Sequence, residues 1–107
     1  MSYEKMRVFC MFDLPVDTPE KRRAYRIFRK GLIENGFTMI QYSVYQRIVP
    51  NRRSGKKYEE IIKKFIPSNG DVRIIYISEK QYNDMKILVG SKSKQEEIVG
   101  SNKMVVI

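Results

Sequence analysis

The hydrophobic pattern begins with an apolar run that predicts a buried strand. The run is Val8-Phe9-Cys10-Met11-Phe12, which Asp13 closes, and residues 6–13 are interpreted as a strand that is apolar on both faces. Such a pattern is typical of a central strand that is covered on both faces of its sheet. Leu14-Pro15 follows as a turn, so Asp13 is predicted to lie at the end of this strand.

A helix is predicted after this turn. Asp17 or Thr18 can cap its start, with Asp17 favoured because Glu20 completes a capping-box spacing. The helix is predicted to end at about Glu34, because Asn35-Gly36 is typical of the residues that follow a helix C-terminus. The core-facing side is predicted from helical spacing to consist of Tyr25, Phe28 and Leu32.

The middle of the chain alternates between strand and helix signals. Residues 37–49 are rich in aromatic and β-branched residues and predict one long strand or a bent pair. Residues 50–57 are interpreted as a basic loop, and an amphipathic helix follows it. Residues 72–77 predict another strand with few polar breaks. The stripe of the second helix comprises Tyr58, Ile61, Ile62 and Phe65.

The last third of the chain carries weaker signals. Ser78-Glu79-Lys80-Gln81 resembles a capping box and predicts a short turn of helix. Met85–Val89 predicts a strand, residues 90–102 a connector, and Met104–Ile107 a last strand.

This order of elements predicts an α+β fold of the split βαβ, or ferredoxin-like, type. We expect one domain over residues 1–107, in which residues 90–107 form the connector and the C-terminal strand. Helices cover only one face of such a sheet. Since the strands at 6–13 and 72–77 are apolar on both faces, we expect a second copy to cover the other face in a two-fold homodimer.

Charge and composition narrow the functional classes. The 107 residues include 21 Lys and Arg against 12 Asp and Glu, a net charge of +9, which favours nucleic acid, an anionic membrane surface or an acidic protein as partner. Histidine is absent, which excludes histidine-based hydrolases. The single cysteine, Cys10, and the lack of a signal peptide or an apolar stretch of about 20 residues predict a cytoplasmic protein.

Asp13 admits two interpretations. It is either a turn residue that bonds the local backbone or a ligand of a metal ion. Magnesium usually takes one or two carboxylates with waters and phosphate oxygens, and a two-fold axis would bring two copies of Asp13 together. Asp17 is close enough in sequence to assist. Ser43 is either an ordinary strand residue bonded to the backbone or a hydrogen-bond donor near the carboxylate site or the phosphate.

The basic residues are interpreted as phosphate contacts, with a solvated surface as the alternative. Like charge concentrated on one helix is destabilising unless an anion binds, and arginine suits bidentate contact with phosphate. Such contacts position a nucleic-acid backbone without reading its sequence. The candidate nucleic-acid-binding residues are Arg22, Arg23, Arg26, Arg29, Lys30, Arg52, Arg53, Lys56 and Lys57.

Three segments together resemble the Cas-two family, CRISPR-associated protein two. They are Phe12-Asp13-Leu14-Pro15, the arginine-rich helix that ends in Asn35-Gly36-Phe37, and Gln41-Tyr42-Ser43-Val44-Tyr45. The tail, with residues 78–82 and 94–99, is similar to the branch found beside type II-A effector systems. Phe12 departs from the tyrosine that many members carry before the aspartate, which puts a role for that phenol in doubt.

The resemblance implies a homodimer in which each C-terminal strand docks on the partner's sheet. It implies a CRISPR adaptation subunit that bridges dimers of the larger adaptation integrase and holds the double-stranded DNA prespacer. It also implies a magnesium-dependent endonuclease of RNA or DNA in which Asp13 is the catalytic and metal-binding residue. A stand-alone, toxin-like metal-dependent endoribonuclease and a non-catalytic protein-interaction module remain as alternatives.

Overall fold

The fold is built on one four-stranded antiparallel sheet. A computed structural model describes residues 5–90 and the backbone of residues 105–106. The strands are β1 (Met6–Asp13), β2 (Thr38–Gln41), β3 (Val44–Val49) and β4 (Asp71–Ser78). Their order in the sheet is β2-β3-β1-β4, and the helices are α1 (Pro19–Glu34), α2 (Arg52–Lys63) and α3 (Glu79–Asn83). This arrangement confirms the α+β, ferredoxin-like prediction.

The core lies between the sheet and helices α1 and α2. Alternate residues of β1 point toward these helices, and Val8, Cys10 and Phe12 are all buried there. Phe28 and Leu32 of α1 are fully buried against them, as their spacing predicts. The predicted long strand over residues 37–49 is a bent pair, β2 and β3, whose register shifts between Met39 and Gln41.

The start of α1 differs from the favoured prediction. Thr18 is the cap, since its Oγ1 accepts a hydrogen bond of 3.1 Å from the backbone N–H of Lys21. Asp17 instead forms an ion pair of 3.3 Å with the Lys21 side chain. The preference for Asp17 as the cap is therefore wrong.

The interpretation of residues 50–57 as a loop is also wrong, because α2 already begins at Arg52. Asn51 caps the helix by accepting a 2.8 Å hydrogen bond from the backbone N–H of Ser54. Gly55 allows the helix to approach the sheet, since a Cβ at this position would lie 2.4 Å from the Tyr76 ring and 3.1 Å from Val8. In the sequence, this glycine resembles a loop signal.

The second face of the sheet is the one that points away from α1 and α2. Only some of its residues are apolar, and the chain covers only part of it. Its most deeply buried side chain is Arg7, which is fully buried, so the prediction of an apolar strand on both faces is wrong at this position. The predicted capping box at Ser78 is confirmed and opens α3, whose Tyr82 packs against Phe9 and Arg7. Farther along this face, Ile75 is 47% exposed.

The remaining strands are short. Lys86–Ile87 (β5) is shorter than the predicted Met85–Val89 strand and pairs in parallel with Val105–Val106 (β6). Most of the predicted connector, and the tail segment 94–99, lie outside the described residues. Docking of the C-terminal strand on a partner and a single domain over the whole chain stay predictions. In the described part of the chain, no helix is long and apolar enough to span a bilayer.

Candidate metal and nucleic-acid site

Asp13 ends β1 as an exposed residue on the second face of the sheet. Its Cα partner across the β1–β4 pairing is Asp71, the first residue of β4 and also exposed. Directly opposed residues on antiparallel strands point to the same face with their Cβ atoms about 4.5–5.5 Å apart. The register therefore places two carboxylates side by side, in a position where like charges destabilise the sheet unless a cation binds.

Gly70 makes this close approach of the two strands possible. Its φ of +96° lies in the left-handed region that favours glycine. A Cβ at this position would lie 2.7 Å from the backbone oxygen of Asp13 and 2.8 Å from Cδ2 of Leu14. The Gly70 turn thus determines where the backbone of Asp13 lies relative to Asp71.

The tip of the β2–β3 hairpin lies beside the same end of β1. The backbone oxygen of Ser43 accepts a 3.1 Å hydrogen bond from the N–H of Phe12. The side chains of Ser43 and Tyr42 lie near the phenol of Tyr25. Burial and then the nearby phenol of Tyr42 raise the pKa of Tyr25, which keeps this phenol protonated at neutral pH. The backbone of Ser43 is therefore close to Asp13 in the fold, although a role of its side chain as a hydrogen-bond donor at the site stays a prediction.

The donor set at Asp13 and Asp71 suits a hard divalent cation. Magnesium accepts one or two carboxylates and completes its octahedron with waters and phosphate oxygens. Within the described residues, no group of three or more His, Cys, Asp or Glu side chains could hold a metal. Two carboxylates supply only part of an octahedron, so an ion held here would keep positions for waters and phosphate oxygens.

The first half of α1 packs on the core face of the sheet at the Asp13 end of β1. Phe12 contacts Tyr25 and Phe28 with ring centroids 6.0 and 5.0 Å apart, so this end of β1 and these turns of α1 are neighbours. The candidate residues of α1 are all exposed: Arg22, Arg23, Arg26, Arg29 and Lys30. Among the described residues they take part in no ion pair, although Arg22 donates a 3.1 Å hydrogen bond to the Val16 carbonyl.

The candidate residues of α2 form a separate cluster. The guanidinium of Arg52 lies 4.9 Å from the ring centre of Tyr76, whose partner on β1 is Val8. This position is toward the Met6 end of β1, away from Asp13. Lys57 lies over Tyr58 at 5.1 Å, and Arg53 and Lys56 are exposed. The structure therefore places the start of α1 on the core face at the Asp13 end of β1, and the residues of α2 toward the Met6 end.

Asp71 is the site residue that the sequence analysis missed. It follows the turn Ser68-Asn69-Gly70 and precedes an apolar strand, as many turn aspartates do. Only the register, which pairs it with a residue 58 positions earlier (71 − 13), gives it a place in the site. Asp13 ends β1 and Asp71 begins β4. A comparison of the residues at the ends of the predicted strands could have suggested Asp71.

Comparison with known proteins supports one family. The family model described as CRISPR associated protein Cas2 matches residues 6–85. A protein of Ligilactobacillus salivarius named "CRISPR-associated endoribonuclease Cas2" is 52% identical over 84% of this chain and 89% of its own length. A protein of Treponema denticola with the same name is 43% identical over 95% and 100%. A solved structure described as "Crystal structure of cas2" matches the fold with a TM-score of 0.51 at 18% identity, over 84% and 92%.

Proposed function

The chain belongs to the CRISPR associated protein Cas2 family, and we propose on this premise that it is a magnesium-dependent endonuclease of RNA. Proteins of this family that are similar to it carry the name endoribonuclease. The observation that supports this activity most strongly is the register of β1 and β4, which opposes Asp13 and Asp71 at the end of the sheet where α1 begins. A type II-A branch stays a prediction.

Each part of the site has a physical task in this proposal. Asp13 and Asp71 would hold the ion, and a bound magnesium supplies a water of lowered pKa and neutralises charge on the phosphate. The arginines on the first half of α1 hold the flanking phosphates. The chain has no histidine that could act as a general base. The Tyr25 phenol stays protonated at neutral pH and therefore does not act as one either.

The first experiment measures cleavage of labelled single-stranded RNA. We expect cleavage by the wild type with magnesium, none with EDTA, and a loss of at least about a hundredfold in Asp13→Asn. The matched control is Asp84→Asn, which removes an exposed carboxylate on α3's C-cap and is expected to cleave like the wild type. Equal rates for the wild type and Asp13→Asn would refute the proposal.

A second role is favoured by surfaces that do not belong to the carboxylate site. Ile75 on the open sheet face is 47% exposed, and Leu88 and Val89, which follow β5, are 68% and 94% exposed. Apolar surface of this kind is typical of protein interfaces. We therefore also propose that the chain forms a homodimer and serves in CRISPR adaptation, where it bridges the integrase dimers and holds a DNA duplex. Two copies of Asp13 facing each other across the dimer axis belong to this proposal.

Salt dependence tests the duplex-binding part of this role. Each phosphate contact contributes a slope of about −0.9 to the dependence of log affinity on log salt. We expect Arg26→Ala to reduce the slope by about one, whereas Lys63→Ala is expected to leave it unchanged because Lys63 is already paired with Glu60 at 3.0 Å. A slope near zero in the wild type would contradict the proposed phosphate contacts.

Affinity capture separates these roles from a pure protein-interaction module. An integrase that is retained after nuclease treatment supports bridging through protein contacts. Sedimentation is expected to give about twice the 12.7 kDa of one chain. A monomer at micromolar concentration would contradict the proposed homodimer.

A further inference from the structure

Arg73 lies beside the carboxylate pair on the same face of the sheet. It follows Asp71 by two residues on β4, and side chains alternate between the faces along a strand. Both therefore point away from α1 and α2. The Cα partner of Arg73 on β1 is Met11, two residues before Asp13. Arg73 and Asp13 are thus diagonal neighbours, at a separation of about 7–8 Å that long side chains can bridge.

The chain itself does not compensate the charge of Arg73. Its side chain is exposed, and within the described part of the chain it takes part in no ion pair. The next residues of β4 on this face, Ile75 and Ile77, are apolar. Arg7 lies on the same face and is paired with Glu79. The guanidinium of Arg73, unlike that of Arg7, is therefore available to an anion from outside the chain.

The charge balance at this end of the sheet gives such a cation a task. The charges of two carboxylates and of one divalent cation cancel each other. A phosphodiester adds negative charge, and the transition state of its hydrolysis concentrates that charge on the oxygens around phosphorus, where arginines and metal ions stabilise it. Arginine presents a planar fork of donors that matches two phosphate oxygens. Arg73 can supply this positive charge from the same face as Asp13 and Asp71.

We propose that Arg73 binds the nonbridging oxygens of the phosphate that is cleaved at Asp13 and Asp71. In hydrolysis a bond forms between a water oxygen and phosphorus, and the bond from phosphorus to the leaving ribose oxygen breaks. The water gives a proton to the solvent, and the leaving oxygen takes one up. The guanidinium donates hydrogen bonds to the nonbridging oxygens while they carry the additional charge. This inference rests on the proposed nuclease function and adds a residue to its site.

Binding without metal tests the contact separately from cleavage. The probe is a fluorescently labelled single-stranded oligoribonucleotide, measured by anisotropy in EDTA at several salt concentrations. All proteins carry Asp13→Asn, which lessens the repulsion between carboxylates and phosphate when the metal is absent. One phosphate contact contributes about −0.7 to the slope of log affinity against log salt for a single strand, and we expect Arg73→Gln to remove about this much. Arg73→Lys is expected to keep the slope. The control Lys80→Gln, which removes an exposed charge of α3, is expected to leave it unchanged.

Cleavage with magnesium, in proteins that retain Asp13, gives the second measurement. We expect Arg73→Gln to lower the rate about ten- to a hundredfold, less than the loss of about 10²–10³ for a sequestered donor to an oxyanion, because Arg73 is exposed. Arg73→Lys is expected to lie between Arg73→Gln and the wild type, since it keeps the charge but not the planar fork. If the wild type and Asp13→Asn cleave alike while Arg73→Gln still lowers the salt slope, the nuclease proposal fails and the phosphate contact stands.

Three outcomes would overturn the inference. In the first, Arg73→Gln binds and cleaves the RNA as the wild type does. In the second, it lowers the urea midpoint in EDTA and enlarges the shift that magnesium causes, which would make Arg73 an internal counter-ion of Asp13 and Asp71. In the third, it converts a dimer into a monomer in sedimentation, which would assign Arg73 to contact with a second copy of the chain.

Discussion

Arg7 and Asp13 lie on the same strand and the same face of the sheet, yet their charges have opposite surroundings. Arg7 is fully buried, forms an ion pair with Glu79, donates a 2.9 Å hydrogen bond to Gln46 and lies 3.6 Å from the ring centre of Tyr82. Asp13 is exposed and faces another carboxylate. A charge compensated within the chain stabilises the fold, whereas one that faces a like charge is available to a ligand.

The position of α3 accounts for this difference. The capping box at Ser78 turns the chain back over the sheet directly after β4, so Glu79 and Tyr82 reach Arg7. At the other end of the strand, the Gly70 turn brings Asp71 against Asp13. One end of β1 is thus closed by the chain itself, and the other stays open.

Removing the partner of Arg7 is expected to have the largest effect. Glu79→Ala leaves a buried guanidinium without its carboxylate, and we expect the free energy of unfolding to fall by about 3 kcal/mol. Urea denaturation checks this value. Arg7→Met combined with Glu79→Leu is expected to recover much of the loss, because replacing both partners leaves no uncompensated charge.

The matched control is Asp84→Asn. It breaks an ion pair with Lys80 in which the side chains are 70% and 86% exposed and 3.8 Å apart, and exposed pairs contribute about 0–1 kcal/mol. If Glu79→Ala lowers stability no more than Asp84→Asn, the contrast between the two ends of β1 fails.

Gly70→Ala is expected to have the next largest effect. It adds backbone strain at φ +96° and a contact of 2.7 Å with the Asp13 oxygen, and we expect a loss of about 1–3 kcal/mol together with weaker cleavage. Gly90→Ala controls for strain, since φ there is +107° with nothing within 4 Å of the added Cβ. Equal effects of both variants on cleavage would show that the Gly70 contact does not position Asp13.

Asp13→Asn is expected to affect stability in the opposite direction from Glu79→Ala. It removes the repulsion between directly opposed carboxylates, so without metal the free energy of unfolding should rise by about 0.2–1 kcal/mol. Asp71→Asn is expected to give a similar gain. Urea denaturation in EDTA measures both, and a clear loss of stability in either variant would mean that these carboxylates support the fold.

Cys10, between these two ends on the core-facing side, provides a smaller, pH-dependent effect. Burial raises the pKa of its thiol to about 12. Since the folded-state pKa lies above the unfolded one, the stability from the neutral thiol is complete below about pH 9 and declines as pH rises toward 12. We expect the stability advantage of wild type over Cys10→Ala to narrow over this range in denaturation experiments. A constant difference would contradict this burial effect.

Much of the fold could be predicted because it depends on local signals. The spacing of Phe28 and Leu32, the capping box at Ser78 and the stop at Asn35-Gly36 each act over one or two helical turns. The sequence predicts a basic loop at residues 50–57, whereas Gly55 permits close packing of α2 on Tyr76. That role depends on a residue from a distant strand.

The site could be predicted only in part for the same reason. Asp13 stands out because it ends an apolar run, but Asp71 gains its importance from strand register, which the sequence does not display. Arg7 was interpreted as part of an apolar strand because its partner Glu79 is 72 residues away. Charges that are compensated or opposed across the sheet become visible only in the structure.

The most direct test of a metal site at Asp13 and Asp71 is the effect of magnesium on the urea midpoint. A ligand that binds only the folded state stabilises it in proportion to the logarithm of its concentration above the dissociation constant. The account predicts that magnesium raises the midpoint of the wild type and of Asp84→Asn, but not that of Asp13→Asn or Asp71→Asn. Equal shifts in all four proteins would contradict it.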